Sequence, residues 1–373
     1  MSDDTTHNDG SAGWRDWSYR GSLLLAAVGV LVSLLPLLPV NQWWIRIGDY
    51  PRLQLLIGVA AALVWVAFHL RRTGAKVAAA GLLVAAGVQT WFIFPYTPLA
   101  SVESEDATRR DPGRMLSVFA CNVLQDNDQY ADVRRAIANA DADVVLLMEV
   151  DQTWVEEVAS ALGEYGTQVL QPLDNTYGMA FYSRIPVDGH EVRHYIKEGI
   201  PSIVADVRLG DGTPVRIFCV HPNPPRPGED TTKRDGELVL VARDVEERGG
   251  TTVVVGDMND VGWSRTSKLF QKISRLLDPR KGRGFFNTFD AKSSVWRYPL
   301  DYVYHSDDFR LVSLQRLDPV GSDHYPLTIT LSFEPDAEDE QEAPDKDPGD
   351  TEDAAEAVDN AKEAAAEEPP PTE

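Results

Sequence analysis

Apolar and polar positions divide the chain into sharply different regions. Residues 21–40 carry no charge, residues 53–70 hold His69 as their one ionisable group, and residues 77–94 are again uncharged. Each run is long enough, as a helix, to cross a hydrocarbon core of about 30 Å. Three in succession predict three transmembrane helices over 21–94 rather than a cleaved leader or buried soluble helices. Trp43, Trp44, Trp91 and Tyr96 stand at the run ends, where interfacial aromatics belong. Arg15 and Arg20 precede the first run, and Arg71, Arg72 and Lys76 crowd the second loop. The first loop has Arg46 and Arg52 with Asp49. The positive-inside rule then puts the N-terminus and the second loop in the cytoplasm, and everything after residue 94 outside the cell membrane.

Beyond residue 114 the pattern changes to short β-rich runs alternating with amphipathic ones. Strands are predicted over 115–121, 143–149, 179–182, 202–207, 215–221, 252–257, 301–304, 311–316 and 326–331. Helices are predicted over 133–140, 154–162, 237–247 and 267–277. Mixed elements over 115–333 predict one layered α/β domain. The polar, turn-rich stretch 95–114 reads as a linker. Residues 1–20 are expected to be a disordered cytoplasmic N-terminus, and 334–373 an acidic disordered tail with too few large apolar groups to bury.

Charge refines this division. Of the formal charge of −23, the tail 334–373 supplies 17 acidic groups against 2 basic ones. Residues 115–333 hold 32 acidic and 23 basic groups, so the domain is not a basic nucleic-acid binder on its average charge. One local run is basic: Arg265, Lys268, Lys272, Arg275, Arg280, Lys281 and Arg283, set against Asp278. The two cysteines exclude a disulfide scaffold. If Asn122 and His221 face one site, strand alternation sends Cys121 and Cys219 to opposite faces.

Candidate chemistry gathers where apolar runs stop. The strand Val253-Val-Val-Gly-Asp257-Met-Asn259 ends in a carboxylate and an amide, at the mouth where α/β sheets hold ligands. Alone, Gly-Asp-Met-Asn is equally a good turn. The run 116–122 ends in Asn122, 144–149 in Glu149, and 217–221 in His221; Asp301 follows Pro299-Leu300, and Asp323-His324 follows Gly321-Ser322. Each residue has an ordinary structural reading; six such ends in one domain point to phosphoester hydrolysis. That reaction must neutralise phosphoryl charge, orient a water and assist a leaving oxygen. Glu149 with Asp323 or Asp257 suits Mg²⁺ or Mn²⁺, which prefer oxygen ligands. A carboxylate such as Asp301 would fix the tautomer of His324 and raise its basicity.

In order, Cys121-Asn122-Val123, Met148-Glu149-Val150, Ser183-Arg184-Ile185-Pro186, His221-Pro222, Gly256-Asp257-Met258-Asn259, Leu300-Asp301-Tyr302 and Ser322-Asp323-His324 resemble the motifs of the endonuclease/exonuclease/phosphatase superfamily. That superfamily includes DNase I, abasic-site endonucleases, sphingomyelinases and inositol-phosphate phosphatases. The resemblance runs from about residue 115 to 333 and is nearest to bacterial members with membrane spans ahead of the catalytic domain. It implies a DNase I-like four-layer sandwich of two packed mixed β-sheets with outer helices. It implies Glu149 as principal metal carboxylate, Asn122 beside metal and phosphate, and Asp323 completing the metal site. Asp257 would orient the nucleophile or protonate the leaving group, and Asn259 would hold the scissile phosphate. His324, oriented by Asp301, would act as general base or bind phosphate, and His221 would bind a phosphate oxygen or aid departure.

The first substrate reading is nucleic acid, DNA or RNA, carried by the basic run 265–283, with Trp263 and Trp296 as candidate stacking residues. The alternative is a phospholipid head group or an inositol-phosphate-type monoester, which suits tethering at a bilayer. A non-catalytic membrane protein with a retained fold is a third class, and the full set of acidic, amide and imidazole positions argues against it.

Overall fold

Four helices form residues up to Pro95: α1 (Asp9–Leu34), α2 (Trp43–Arg46), α3 (Arg52–Ala67) and α4 (Thr73–Ile93). The computed structural model describes residues 9–225 and 228–367. Residues 13–37 and 73–96 make two helices long and apolar enough to cross a membrane. The stretch from α2 to Asp49 and α3 form a pair bent by 81°, which makes a third span if counted as one. Small side chains seal the helix contacts, among them Ala26, Ala62, Ala75 and Ala85 around Val59, Val66 and Leu82. Leu24, Val28, Leu31, Val64, Phe68 and Leu83 point outward and are exposed. Both arginines of the first loop are folded in: Arg46 bonds the carbonyls of Pro36 and Leu38 and pairs with Asp49, and Arg52 pairs with the same carboxylate. Residues 9–20 belong to α1 rather than to the expected disordered segment; residues 1–8 lie outside the described residues.

Residues 96–373 form the second unit. Its elements in order are β1 (Met115–Asn122), α5 (Tyr130–Ala140), β2 (Val144–Met148), α6 (Gln152–Val158), β3 (Thr167–Gln171), β4 (Met179–Ser183), β5 (Val187–Arg193), β6 (Ser202–Arg208) and β7 (Pro214–Val220). There follow α7 (Thr232–Arg248), β8 (Thr252–Asp257), α8 (Arg265–Ser274), β9 (Asp301–His305), β10 (Phe309–Arg316), β11 (Leu327–Phe333) and α9 (Asp350–Ala366). One sheet runs β10-β11-β1-β2-β4-β3 and the other β5-β6-β7-β8-β9. Only β1/β2 and β7/β8 pair in parallel, so both sheets are mixed.

Alternation along the strands builds the layers. Leu116, Val118 and Ala120 of β1 meet Val253 and Val255 of β8 in the core between the sheets. The opposite parity, Phe119 and Val145, packs under α5 and α6, and Val254 packs under α7, α8 and α9. This is the expected four-layer sandwich. Cys121 lies in the α5/α6 layer and Cys219 in the inter-sheet layer, and both are free thiols.

Two expectations are corrected. The stretch 95–114 is not a loose linker. Tyr96 is buried edge-on to Trp263, and Glu103 accepts from the Asp278 amide (2.6 Å) and from Lys281 (2.6 Å). Ser104 bonds His305 at 2.7 Å, and Glu105 and Ala107 pair with the backbone of Leu311. Nor is the acidic tail solvated throughout. Ala354, Val358 and Ala361 give α9 a narrow buried face against α7, and its acids meet α8: Lys272 with Asp347 (2.6 Å) and Asp350 (3.1 Å), Arg265 with Asp353 (3.2 Å), and Arg275 with Asp345. Residues 368–373 lie outside the described residues.

The α7/α9 contact depends on Gly236, where an added Cβ would stand 2.2 Å from the Cβ of Ala361. Gly236→Leu is therefore expected to push α9 off α7, at a cost of about 1–3 kcal/mol of overpacking if the helix stayed. Limited proteolysis and amide exchange check this: residues 345–367 should become the first cleaved and should lose protection, while the sheets keep theirs.

Candidate active site

The parity that fills the inter-sheet core also delivers the site. Asn122 continues the inward face of Leu116, Val118 and Ala120, and Asp257 continues that of Val253 and Val255. At the C-terminal ends of β1 and β8 the two side chains therefore meet, with Asn122 Nδ2 donating to Asp257 Oδ2 at 3.2 Å. His221, one residue past β7, and Asp301, the first residue of β9, follow the same logic.

Glu149 breaks the parity. Its position after β2 matches Val145 and Leu147, which face α5 and α6. A left-handed φ of +61° turns the backbone there, and its carboxylate instead accepts from Asn122 Nδ2 at 2.7 Å. Non-glycine residues adopt that region at a cost, and such strain gathers at functional sites. Asn259, at φ +50°, is a second example. Gly256 is required for close approach: a Cβ there would lie 1.9 Å from the Val220 carbonyl oxygen.

The centre of the site is a charged series. His324 Nδ1 donates to Asp301 Oδ2 at 2.8 Å, and its Nε2 lies 3.5 Å from Asp257 Oδ2. Burial alone would depress this imidazole, but the Asp301 and Asp257 carboxylates together outweigh it and raise its pKa to about 10. His324 is thus a cation at neutral pH, with the proton on Nδ1 fixed by Asp301. His221 is the opposite case: burial pushes its pKa down, more than the nearby Asp257 pulls it up. Its Nε2 stands 3.8 Å from Asp257, and its Nδ1 has no hydrogen-bond partner among the described residues. Burial raises the pKa values of Asp257 and Glu149 from their ordinary values.

Two places could hold a cation. Asp257, Asp301 and His324 present ligand atoms within 4.8 Å of one another, but an imidazolium already supplies the positive charge between those carboxylates. Glu149 and Asp323 are the second place. The Asp323 charge bears on Glu149 and raises it further, and among the described residues no Lys or Arg ion pair to either carboxylate is found. Two carboxylates whose charges act on each other, with oxygen donors only, fit a hard divalent ion.

Asn122 lies beside Glu149. Its amide nitrogen bonds Glu149 and Asp257, and its oxygen accepts from the Leu124 amide at 3.1 Å; it spaces two carboxylates. Asn259 Nδ2 donates to the Pro222 carbonyl at 3.0 Å, tying its loop to that of His221. Sequence reasoning missed the supports. Ser322 Oγ donates to the Asn122 carbonyl (2.8 Å) and accepts from the His324 amide (2.9 Å). Thr288 accepts from the amides of Leu300 and Asp301, the Phe289 ring lies 5.0 Å from that of His324, and Arg234 bonds the Asn259 carbonyl at 2.8 Å. Ser322 alone carried a signal, its place in Ser322-Asp323-His324.

The basic run 265–283 is largely committed elsewhere. Besides the α8 pairs with the tail, Arg280 pairs with buried Asp278 at 2.5 Å, Lys281 with Glu103 and Arg283 with Asp106, each at 2.6 Å. Trp263 is core; Trp296 is exposed.

Asp301→Asn removes the nearer carboxylate from a buried imidazolium, so the His324 pKa is expected to fall from about 10. In the native protein the ion pair's contribution to stability is full below the ordinary histidine value of 6.5 and is lost as pH rises through about 10. In the variant that loss moves to lower pH. NMR titration of the His324 ring with alkaline unfolding curves reads both.

Residues 117–324 match the Endonuclease/Exonuclease/phosphatase family. No curated protein matches the chain significantly in sequence. Among solved structures, the human Nocturnin catalytic domain with bound sulfate anion is 18% identical, with 60% of this chain and 100% of that one covered at a TM-score of 0.49. Truncated Caenorhabditis elegans TDP2 is 18% identical over 60% of this chain and 100% of its own, at 0.47. An endonuclease/exonuclease/phosphatase family protein from Bacteroides thetaiotaomicron is 18% identical over 59% and 98%, at 0.49. With more than half of its length matched to the family, the chain belongs to the endonuclease/exonuclease/phosphatase family, hydrolases of the phosphodiesterase, nuclease and phosphatase kind.

Proposed function

We propose that the chain is a membrane-anchored phosphodiesterase that works with Mg²⁺ or Mn²⁺. One observation carries this reading: Asn122 bonds both Glu149, which feels the Asp323 charge, and Asp257, which adjoins the His324–Asp301 pair. When bound at Glu149 and Asp323, a divalent cation supplies charge neutralisation at the phosphoryl oxygens. The chain's own residues do the rest. A water oxygen forms a bond to phosphorus, the bond from phosphorus to the leaving alcohol oxygen breaks, and one proton passes from the water side to the leaving side. Asp257, buried and with a raised pKa, is the group suited to moving that proton. His324, as an imidazolium held by Asp301, holds a phosphate oxygen rather than acting as base. Neutral His221 offers a hydrogen bond to a phosphate or leaving oxygen, and Asn259 an uncharged donor to the scissile phosphate.

Anchoring rests on α1, α3 and α4. Asp16 and Arg72 pair at 2.7 Å, which puts the start of α1 and the loop between α3 and α4 at one end of that helical unit. With Arg46 and Arg52 tied to Asp49, the exposed basic end is the one bearing Arg71 and Arg72. That end is cytoplasmic, and the catalytic unit is extracytoplasmic.

As substrate, a polynucleotide no longer draws support from the basic run 265–283, whose cations are largely paired within the chain. A lipid head-group phosphodiester is the second reading, favoured by exposed Val295 and Trp296 on the loop whose Phe289 packs on His324. The test of hydrolysis uses the full chain and bis-p-nitrophenyl phosphate. Chelation should abolish turnover and Mg²⁺ or Mn²⁺ restore it. Glu149→Gln should lose roughly 10²–10³-fold in rate together with Mn²⁺ binding, and His324→Ala a similar factor with Mn²⁺ binding kept. Turnover that survives chelation, or full activity in Glu149→Gln, would overturn the reading.

A further inference from the structure

Glu237 is a buried carboxyl group with no cation to meet. It stands in the first half of α7, a helix packed between the five-stranded sheet and α9, and is 2% exposed. Its Oε1 has no hydrogen-bond partner among the described residues. No charged group bears on it. Arg234 and Asp235 of the same turn pair with each other at 2.6 Å, and Arg234 reaches Asp260 at 3.4 Å. Burial raises the Glu237 pKa to about 8, so the group is largely uncharged at neutral pH. An apolar side chain of similar size would fill the same place without the desolvation cost. A polar group kept in a core at the expense of stability points to function.

Its one contact indicates which function. The carboxyl accepts from the backbone N–H of Asn223, two residues after His221. Prolines occupy positions 222, 224 and 225 and have no N–H to give. Asn223 therefore carries the only backbone donor of segment 222–225, and Glu237 takes it. Two further bonds hold this segment: Asn259 Nδ2 donates to the Pro222 carbonyl at 3.0 Å, and the Tyr177 hydroxyl donates to Asn223 Oδ1.

His221 depends on that backbone. Its ring makes no hydrogen bond of its own among the described residues: Nδ1 has no partner, and Nε2 stands 3.8 Å from Asp257. The Tyr177 ring centre, 6.0 Å away, packs near it without a directional bond. The imidazole is thus aimed by the chain that carries it, and the prolines make that chain stiff enough to transmit a tether at Asn223.

We propose that Glu237 is a positioning residue that holds His221 in its working place through the Asn223 amide. This rests on the phosphodiesterase reading and adds to it the group that sets the phosphate or leaving-oxygen donor.

The test uses the full chain in detergent micelles with Mn²⁺ and bis-p-nitrophenyl phosphate. Glu237→Leu should lose about tenfold in kcat with KM within about twofold of native, because the misplaced group acts in the transition state. The same variant should melt higher than the native protein. The carboxyl's contribution to native stability is full below the ordinary glutamate value of 4.5 and lost as pH rises through about 8, so the gain should be largest at alkaline pH. Glu237→Gln keeps an oxygen for the Asn223 amide and cannot ionise. It should restore kcat to within about twofold, and should hold it above pH 8, where an unpaired carboxylate disturbs the native loop. His221→Ala alone and His221→Ala with Glu237→Leu should share one kcat within about twofold, as expected when one residue acts through the other. Amide exchange supplies a readout that needs no turnover: segment 222–225 has a single backbone N–H, and it should exchange faster in Glu237→Leu.

Native kcat in Glu237→Leu, losses that multiply in the double variant, no rescue by Glu237→Gln, or unchanged exchange at Asn223 would each overturn the proposal. So would a Glu237→Leu protein less stable than the native one, which makes the carboxyl a structural group. Failure of the native protein on the soluble diester defeats the phosphodiesterase reading instead, and exchange at Asn223 still decides whether Glu237 holds the loop.

Discussion

The site depends on burying opposite charges together at the open end of a two-sheet seam. Asp257, Asp301 and His324 are each almost wholly removed from water. An isolated carboxylate or imidazolium in that position would neutralise itself by losing or gaining a proton. Here the two carboxylates together raise the imidazole against the direction that burial alone dictates. Removing one member leaves the others uncompensated, a situation costing several kcal/mol at buried pairs generally. The surrounding scaffold serves that constraint: Thr288 fixes Asp301 through its amide, Ser322 fixes His324, and Phe289 closes one side.

Backbone geometry supplies what strand alternation cannot. The inward faces of β1 and β8 bring Asn122 and Asp257 to the seam without strain. Glu149 stands on the wrong parity and reaches the seam only through a left-handed turn. The strands β7 and β8 approach closely enough at Gly256 that no side chain fits between them. Positioning is thus divided between elements that any sandwich has and a few residues in costly conformations.

That division explains what was legible in the sequence. The strands β1, β2, β7, β8 and β9 are largely buried on both faces and read as apolar runs, so their ends, and the polar residues on them, could be placed. The edge strands β3 and β5 escaped, because Thr167–Gln171 and Val187–Arg193 alternate weakly and are largely half-exposed or exposed. The last helix escaped for a different reason. Its buried face is Ala354, Ala357, Val358 and Ala361, a helical spacing of small residues that offers little area and was outweighed by the surrounding acids. The acids themselves were legible as charge but not as partners: the tail and the segment after Pro95 neutralise the very basic run that sequence reading assigned to a substrate. Charge counted along a sequence cannot tell a binding surface from half of an internal ion-pair network.

This accounting bears on how an anionic substrate arrives. Near the seam Glu149, Asp257, Asp301 and Asp323 face a single imidazolium, while the cations on and after α8 are engaged by acids from both flanks of the domain. Under the proposed function, an anionic phosphoester approaching such a mouth meets repulsion until a divalent ion changes its sign, so the acids at the seam add no attraction over distance. Affinity must then come from the cation, from short-range hydrogen bonds and from contacts to the uncharged part of the substrate.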